Sequence, residues 1–484
     1  MHEQISTTGL ILNEPLLWEK GKKGRSGFSI PRHDVERAEM DNSLVGEVPD
    51  IPQLSELDVV RHYTRLSTWN FGVDTGMYPL GSCTMKYNPK LNEKLAGLEG
   101  FASAHPLLPA SLSQGMLELM YELEKALCEI TGMDAVSLQP AAGAQGELTG
   151  MLLIHAFHKS QGKQKTKILV PDTAHGTNPA SAVLCGYKPL PLQSSEQGII
   201  SIKAVEDLMD DDVAGIMITN PNTLGLFEEN ISEISAMVHD RGGLVYGDGA
   251  NMNAIMGIVK MGKIGLDIIH LNLHKTFSAP HGGGGPGSGP VCVKKELEPF
   301  LPSPKVVKDG DKFSLSEDNP RSVGKVQAFY GNIGVMIKAY SYILTMGPEL
   351  EKVSRLAVLN ANYLKEKLKT VFHLAYDKTC MHECVFTDAI QAEGKVTALD
   401  IAKRLIDYGF HPPTIYFPLV VHGALMIEPT ETESKENLDL FIDACKAIAN
   451  EAKTRPELLL NAPQKTRSRR MDEVLAARKP CLSG

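Results

Sequence analysis

Residues 243–275 read GLVYGDGANMNAIMGIVKMGKIGLDIIHLNLHK, and two apolar runs inside this stretch decide the fold. GLVYGD (243–248) and DIIHLN (267–272) are short, carry β-branched and aromatic residues, and end on polar groups. Such runs read as strands buried on both faces. The pattern continues outward: ILVP (168–171), VAGIMIT (213–219) and PVCV (290–293) are further strand candidates. Between two of them, ISEISAMVHDRGG puts Ile231, Ile234, Met237 and Val238 on one helical face. Strands separated by helices predict a mostly parallel sheet with right-handed crossovers, and ligands in such sheets bind beyond the carboxyl ends of the strands.

Upstream, Met116, Met120, Leu123, Leu127 and Ile130 recur at three- and four-residue spacing, with Gly132 as a stop, which predicts an amphipathic helix from Ser113. Residues 1–105 hold many turn signals, as in FGVDTGMYPLGSCTMKYNP, and few periodic runs, so an extended arm with short helices wrapping a larger body is expected. A second α/β unit is expected from Val326, with helices in IGVMIKAYSYILTMG, TALDIAKRLIDYG and KENLDLFIDACKAIANEA and strands in ECVFTD and ALMIEPT. The reading therefore divides the chain into an arm (1–105), a large α/β domain (106–325), a small C-terminal α/β domain (326–465) and a polar, basic tail (466–484). It contains no internal repeat.

Composition narrows the function. With 43% hydrophobic and 22% charged residues in 484, the chain reads as a globular protein with a sizeable core. A net charge of −9 without a long basic block offers no footprint for nucleic acid or an anionic membrane. The cysteines at 83, 128, 185, 292, 380, 384, 445 and 481 are scattered, which points to a reducing compartment. Cys380 and Cys384 bracket Met-His-Glu, but no second pair stands at finger-like spacing, so no metal is expected. MHEQISTTGLILNEP has neither the basic segment nor the uninterrupted apolar stretch of a signal or membrane anchor, and a cytoplasmic enzyme is the expectation.

The polar residues that stand out follow the candidate strands. QPAAGAQGE (139–147) offers small residues whose N–H groups could cradle an anion at a helix start. PDTAHGTNP, TNPNTLG, YGDGAN and HLNLHK come next, and from Gly282 to Pro290 every residue is Gly, Pro or Ser. A lysine desolvated among positive neighbours becomes a nucleophile able to form a Schiff base with an aldehyde. A buried Asp can hold a pyridinium nitrogen protonated. Lys275 and Asp248 suit those roles. The bland alternative, a surface lysine and a helix-capping aspartate, is outweighed by the glycine and histidine context.

LNLHKTFSAPHGGGGPGSGP, YGDGANMNA, TNPNTLGLFE, AHGTNPASA and YPLGSCTMKYNP resemble the P-protein family of the glycine cleavage system, the decarboxylating glycine dehydrogenases. The resemblance runs on to PPTIYFPLVVHGALMIEPTETES, and the length is similar to that of subunit 2 of the two-subunit bacterial form. It implies the type I fold of pyridoxal-phosphate-dependent transferases, with pyridoxal 5'-phosphate covalently attached to Lys275, Asp248 at its ring nitrogen and His175 stacked on the ring. Gly143, Ala144 and Gln145 would bind the phosphate, with His274 and the YGNIG stretch (330–334) as additions, and Asn220 would face the ring hydroxyl. Ser82, Cys83, Thr84 and Lys86 would belong to a lid over the substrate. The implied reaction decarboxylates glycine and transfers the aminomethyl group to the lipoyl disulfide of H-protein. The implied assembly is an α2β2 heterotetramer with a homologous companion, subunit 1, that lacks the cofactor lysine. Two rivals stand beside it: another enzyme of the same fold, such as an amino-acid decarboxylase or a glycine-utilising aldolase, and a non-catalytic scaffold subunit. YPLGSCTMK and EPTETES favour the P-protein over the first, and Lys275 in its full motif argues against the second.

Overall fold

A computed structural model describes residues 14–481 apart from 30, 37, 48, 284–286 and 467–468. The opening MHEQISTTGLILN and residues 284–286 of the glycine-rich run thus lie outside the described residues. Two compact units emerge, Met1–Gly76 and Met77–Gly484.

In the first unit, the helix Glu56–Ser67 starts at a capping box in which Ser55 and Asp58 serve each other's backbone N–H groups. Its His62 and Arg65, together with Lys20, converge on the buried carboxylate of Glu14. Burial alone would push that carboxyl up, but the hydrogen bonds from Arg65, Lys20 and His62 prevail and bring it down to about 2.

The second unit is organised by a seven-stranded sheet: β1 (Ala135–Ser137), β2 (Lys167–Pro171), β3 (Lys188–Leu192), β4 (Val213–Thr219), β5 (Leu244–Gly249), β6 (Ile268–Leu271) and β7 (Val291–Val293). Their order is β1-β7-β6-β5-β4-β2-β3. The β3-β2-β4-β5-β6 run is parallel, and β7 enters antiparallel between β6 and β1. All seven residues of β4 are buried. Ile216, Ile218, Val245 and Ile269 pack into one apolar cluster, while Met217, Tyr246 and Ile268 pack into another. The sheet is therefore covered on both faces, as the unalternating runs predict.

Helices supply the covers. Gln114–Thr131 buries Met116, Met120, Leu123, Leu127 and Ile130, and Gly132 closes it in the left-handed conformation at φ 70°. Ile231–Asp240 buries Ile231, Ile234 and Val238, and Met237 packs against the same cluster from a half-buried position. Gly143–Ser160 lies close on the sheet because Gly146 and Gly150, one turn apart, leave the space that a Cβ would contest with His270 at 2.8 Å and Tyr246 at 2.3 Å.

A two-stranded hairpin, β8 (Lys305–Asp309) and β9 (Lys312–Ser316), leads to the C-terminal part. There an antiparallel sheet of β10 (His373–Leu374), β11 (Cys384–Thr387), β12 (Thr414–Ile415) and β13 (Ala424–Ile427) runs in the order β10-β11-β13-β12. The helices Leu350–Leu368, Ala398–Asp407 and Lys435–Thr454 contribute Leu364, Ile401, Leu405, Phe441 and Ile448 to its core. In the tail, Glu473–Arg478 adds a short helix, and Arg470 pairs with Asp400 at 2.7 Å. Among the described residues all eight cysteines are free, and no helix is long and apolar enough to cross a membrane.

Candidate functional site

The parallel strands end on one side of the sheet, and a cavity of about 360 Å³ opens there. Asp248 enters it from β5, His270, Asn272, His274 and Lys275 from β6 and the turn beyond, Thr219 and Thr223 from the end of β4, and His175 and Thr177 from the segment after β2. The start of the helix Gly143–Ser160 and the turn 81–83 complete the wall, with Thr414 and Phe417 on the C-terminal side.

Each wall has a physical cause. No side chain caps the helix Gly143–Ser160, so its first N–H groups and its positive dipole end stay available to an anion. Gln145 shapes this turn: its Oε1 accepts from the Ala141 N–H at 2.7 Å, and its amide donates to the Val326 carbonyl at 2.6 Å. The glycine-rich run backs onto the turn. A Cβ on Gly289 would stand 2.1 Å from the Ala142 carbonyl, a closeness that only glycine permits.

Asp248 is buried; its carboxylate accepts from the Ala250 N–H at 2.9 Å and from the Asn178 amide at 3.4 Å. Glu147 stands nearby and takes the Thr177 hydroxyl at 2.9 Å, while its Oε2 is buried without a partner. Burial and the charge of Asp248 push the Glu147 carboxyl up to about 8. Burial drives His274 down to about 3, with His281 and Lys275 acting in the same direction. Lys275 extends its Nζ to the Ser82 carbonyl at 2.9 Å. Cys83 presents a thiol pushed up to about 11 by burial. The His175 ring is exposed, lies 5.6 Å from that of Phe417 and touches Thr177 Oγ1 at 3.1 Å.

Of the residues singled out in the sequence, Ser82, Cys83, Gly143, Ala144, His175, Asp248, His274 and Lys275 meet at the cavity. Gln145 braces its rim. Asn220 stands outside the lining, with its Oδ1 accepting from the Glu228 N–H at 2.9 Å and its own peptide to Pro221 cis. Thr84 and Lys86 are buried behind the wall: Thr84 is bound to Glu428, and Lys86 pairs with Glu431 at 2.7 Å and donates to Asn253 and the Thr276 carbonyl. The YGNIG stretch supplies no lining residue; Gly331 within it fits against the Leu138 carbonyl.

The sequence reading missed Glu147, Thr177, His270, Asn272 and Phe417. Glu147 left a signal, since it lies one helical turn after Gly143 in QPAAGAQGE and so shares its face. Phe417 left none. A positively charged ring nitrogen against Asp248, an anionic group at the helix start and a carbonyl carbon against the Lys275 amine would together use the chemistry of these walls.

Two family models match the chain: the glycine cleavage system P-protein over residues 42–311, and the C-terminal domain of glycine dehydrogenase over residues 353–465. The chain is 60% identical to a probable glycine dehydrogenase (decarboxylating) subunit 2 of Caldanaerobacter subterraneus subsp. tengcongensis, over 96% of this chain and 98% of that one. It is 55% identical to the protein of the same name from Alkaliphilus oremlandii, over 96% of each. Among solved structures it is similar to a glycine decarboxylase (P-protein) of the glycine cleavage system in inhibitor-bound form, with a TM-score of 0.72, 20% identity, and 84% and 93% of the two chains covered. A cysteine desulfurase, CsdA from Escherichia coli, matches with a TM-score of 0.60 at 15% identity over 78% of this chain and 95% of that one.

Proposed function

The chain belongs to the glycine cleavage system P-protein family and has the α/β fold of type I pyridoxal-phosphate-dependent transferases, and from this premise we propose that it carries pyridoxal 5'-phosphate on Lys275 and decarboxylates glycine there. The observation that carries the reading is the convergence of the Lys275 amine, the Asp248 carboxylate and the uncapped start of Gly143–Ser160 on one cavity. These walls fit the cofactor. Glu147 Oε2, Asn272 Oδ1 and Thr219 Oγ1 are buried polar atoms without partners, as a site built around a polar guest requires.

When bound, the cofactor supplies an electron sink for the pair that glycine's carboxylate leaves behind as carbon dioxide. Lys275, whose amine lines the cavity, would hold the cofactor covalently. Asp248, fixed by Ala250 and Asn178, keeps a ring nitrogen positive through a charge-assisted hydrogen bond. Gly143 and Ala144 N–H groups hold the phosphate, with Gln145 and His274 shaping their surroundings. His175 would cover the cofactor ring, with Phe417 beside its imidazole at 5.6 Å. Asn220, outside the lining, would support the site only through the backbone that it fixes at Glu228. Ser82 and Cys83 close the substrate side, while Thr84 and Lys86 anchor that closure from behind.

No arginine is among the described residues that line the cavity. The aminomethyl carbon would then bond to one sulfur of the lipoyl disulfide of H-protein as the S–S bond breaks, the other sulfur staying on the lipoyl chain and taking up a proton as a thiol. The companion is subunit 1, a reading that the name subunit 2 among relatives supports, and the assembly that we propose for the two is α2β2.

The test is exchange of labelled carbon dioxide into glycine with lipoylated H-protein and subunit 1 supplied. Exchange is expected. Its absence from a protein with normal bound-cofactor absorbance would turn the reading to another enzyme of the same fold. Lys275→Ala is expected to abolish the cofactor adduct trapped by borohydride.

A further inference from the structure

The turn between Gly81 and Thr84 is held in an unusual shape. Ser82 and Thr84 have φ of 64° and 49°, a left-handed region that residues with a side chain enter only when their surroundings over-determine it. Two carboxylates of the C-terminal part do so. The Ser82 N–H donates to Glu383 Oε2 at 2.7 Å. Thr84 donates to Glu428 twice, from its N–H at 2.8 Å and its hydroxyl at 2.6 Å. The Thr414 hydroxyl fixes the preceding Gly81 carbonyl at 2.8 Å.

Both glutamates are 0% exposed, and neither lines the cavity. Glu383 belongs to the Cys380–Cys384 stretch whose Met-His-Glu centre had no assigned role. Burial pushes both carboxyls up, Glu428 to about 7, and the Lys275 charge pulls both back, so lysine and acids stand within electrostatic reach of each other. The link between them is the Ser82 carbonyl, which receives Lys275 Nζ at 2.9 Å.

We propose that Glu383 and Glu428 are positioning residues for Lys275: by clamping the 82–84 turn in its left-handed form, they set the Ser82 carbonyl as the post that takes the amine whenever it is not bonded to the cofactor. The proposal rests on the reading of Lys275 as the cofactor lysine. A lysine has a long stem with high rotamer entropy, and one hydrogen bond at its tip removes most of that freedom before capture. The same post receives the amine again when glycine takes its place, and keeps it beside the reacting atoms for the return step.

The experiment compares full-length variants by hydrogen exchange of the 80–86 segment in the cofactor-stripped protein and by titration with pyridoxal 5'-phosphate. Glu383→Leu and Glu428→Leu are expected to speed exchange in that segment and to weaken cofactor capture, each on the order of tenfold. Glu383→Gln keeps an oxygen for the Ser82 N–H and is expected to stay within about twofold of the parent. Should the leucine variants not fold, Ser82→Pro asks the same question from the turn, since it removes the N–H and holds φ near about −65°. Ser82→Gly, which keeps both the N–H and the φ, is its control. Unchanged exchange and affinity in Glu383→Leu or in Ser82→Pro would overturn the clamp. Peptide mapping of the borohydride-reduced adduct separates the two readings. An adduct on another lysine overturns the role of Lys275, whereas an adduct on Lys275 with unchanged affinity in these variants overturns the clamp alone.

Discussion

Asp248 and His270 are register partners on β5 and β6, and their side chains meet at 3.4 Å, carboxylate Oδ1 to imidazole Nε2. The hydroxyl of Tyr246, raised well above its usual range by burial, stays protonated and reaches His270 Nδ1 at 2.5 Å. Burial lowers His270, so its ring is neutral at pH 7, and with Nδ1 accepting from Tyr246 the remaining N–H faces Asp248. Tyr246, His270 and Asp248 thus form a fixed chain whose free end is a carboxylate turned to the cavity.

Asp248→Asn keeps the shape of that end and removes its charge. Cofactor affinity, read by absorbance titration, is expected to fall about tenfold to about a hundredfold, the range of a hydrogen bond to a charged group. Undiminished affinity would put the ring nitrogen elsewhere.

Gly143→Ala adds a methyl where 2.6 Å separates the new carbon from Asn272 Oδ1 and 3.1 Å from His270 Nε2. Alanine ordinarily favours a helix over glycine by roughly 0.5–1 kcal/mol. Here the helix start must shift, and cofactor affinity is expected to drop at least about tenfold. A stabilised protein with full affinity would show that the phosphate sits away from this turn.

Glu147 gives the cofactor-free protein a pH signature. Its carboxyl is raised from 4.5 to about 8 by burial and by Asp248, so the folded state keeps a proton that the unfolded chain releases. Its contribution to stability is full below 4.5 and is lost as pH rises through 8. Urea unfolding at a series of pH values is expected to show stability declining across that window, and Glu147→Gln to flatten the decline. An unaltered slope in the variant would assign the proton to another group.

Leu123 is 0% exposed on the helix Gln114–Thr131, beneath the sheet that presents the site. Leu123→Ala is expected to cost about 2–5 kcal/mol in urea unfolding. A loss below about 1 kcal/mol would mean that the helix face repacks around the gap.

Strands β2, β4, β5 and β6 were legible because a strand buried on both faces writes itself as a local apolar run, and the residues after each run fall on the same side of a parallel sheet. That logic delivered Asp248, His274 and Lys275. It could not deliver Glu383 and Glu428, which reach the 82–84 turn across 301 and 344 residues of sequence. Nor could it tell which members of SCTMK face inward, because the positive φ of Ser82 and Thr84 breaks the alternation by which strand side chains are assigned to faces. Thr84 and Lys86 turn toward Glu428 and Glu431 as a result. Glu147 lies inside QPAAGAQGE, but a glutamate on a helix is ordinarily exposed, so the motif alone does not mark the burial that it has.

Leu80 bridges to Ile427, Gly81 packs so tightly on Met426 that a Cβ would stand 2.2 Å from its side chain, Thr84 binds Glu428 and Lys86 binds Glu431. Residues 80–86 are therefore a borrowed border of the antiparallel sheet, though more than three hundred positions separate them from β13. Chimeras that graft the C-terminal module of one relative onto another should carry this heptad along with it; a graft cut at the domain seam alone would assemble two sound halves around a misfitted hinge stone.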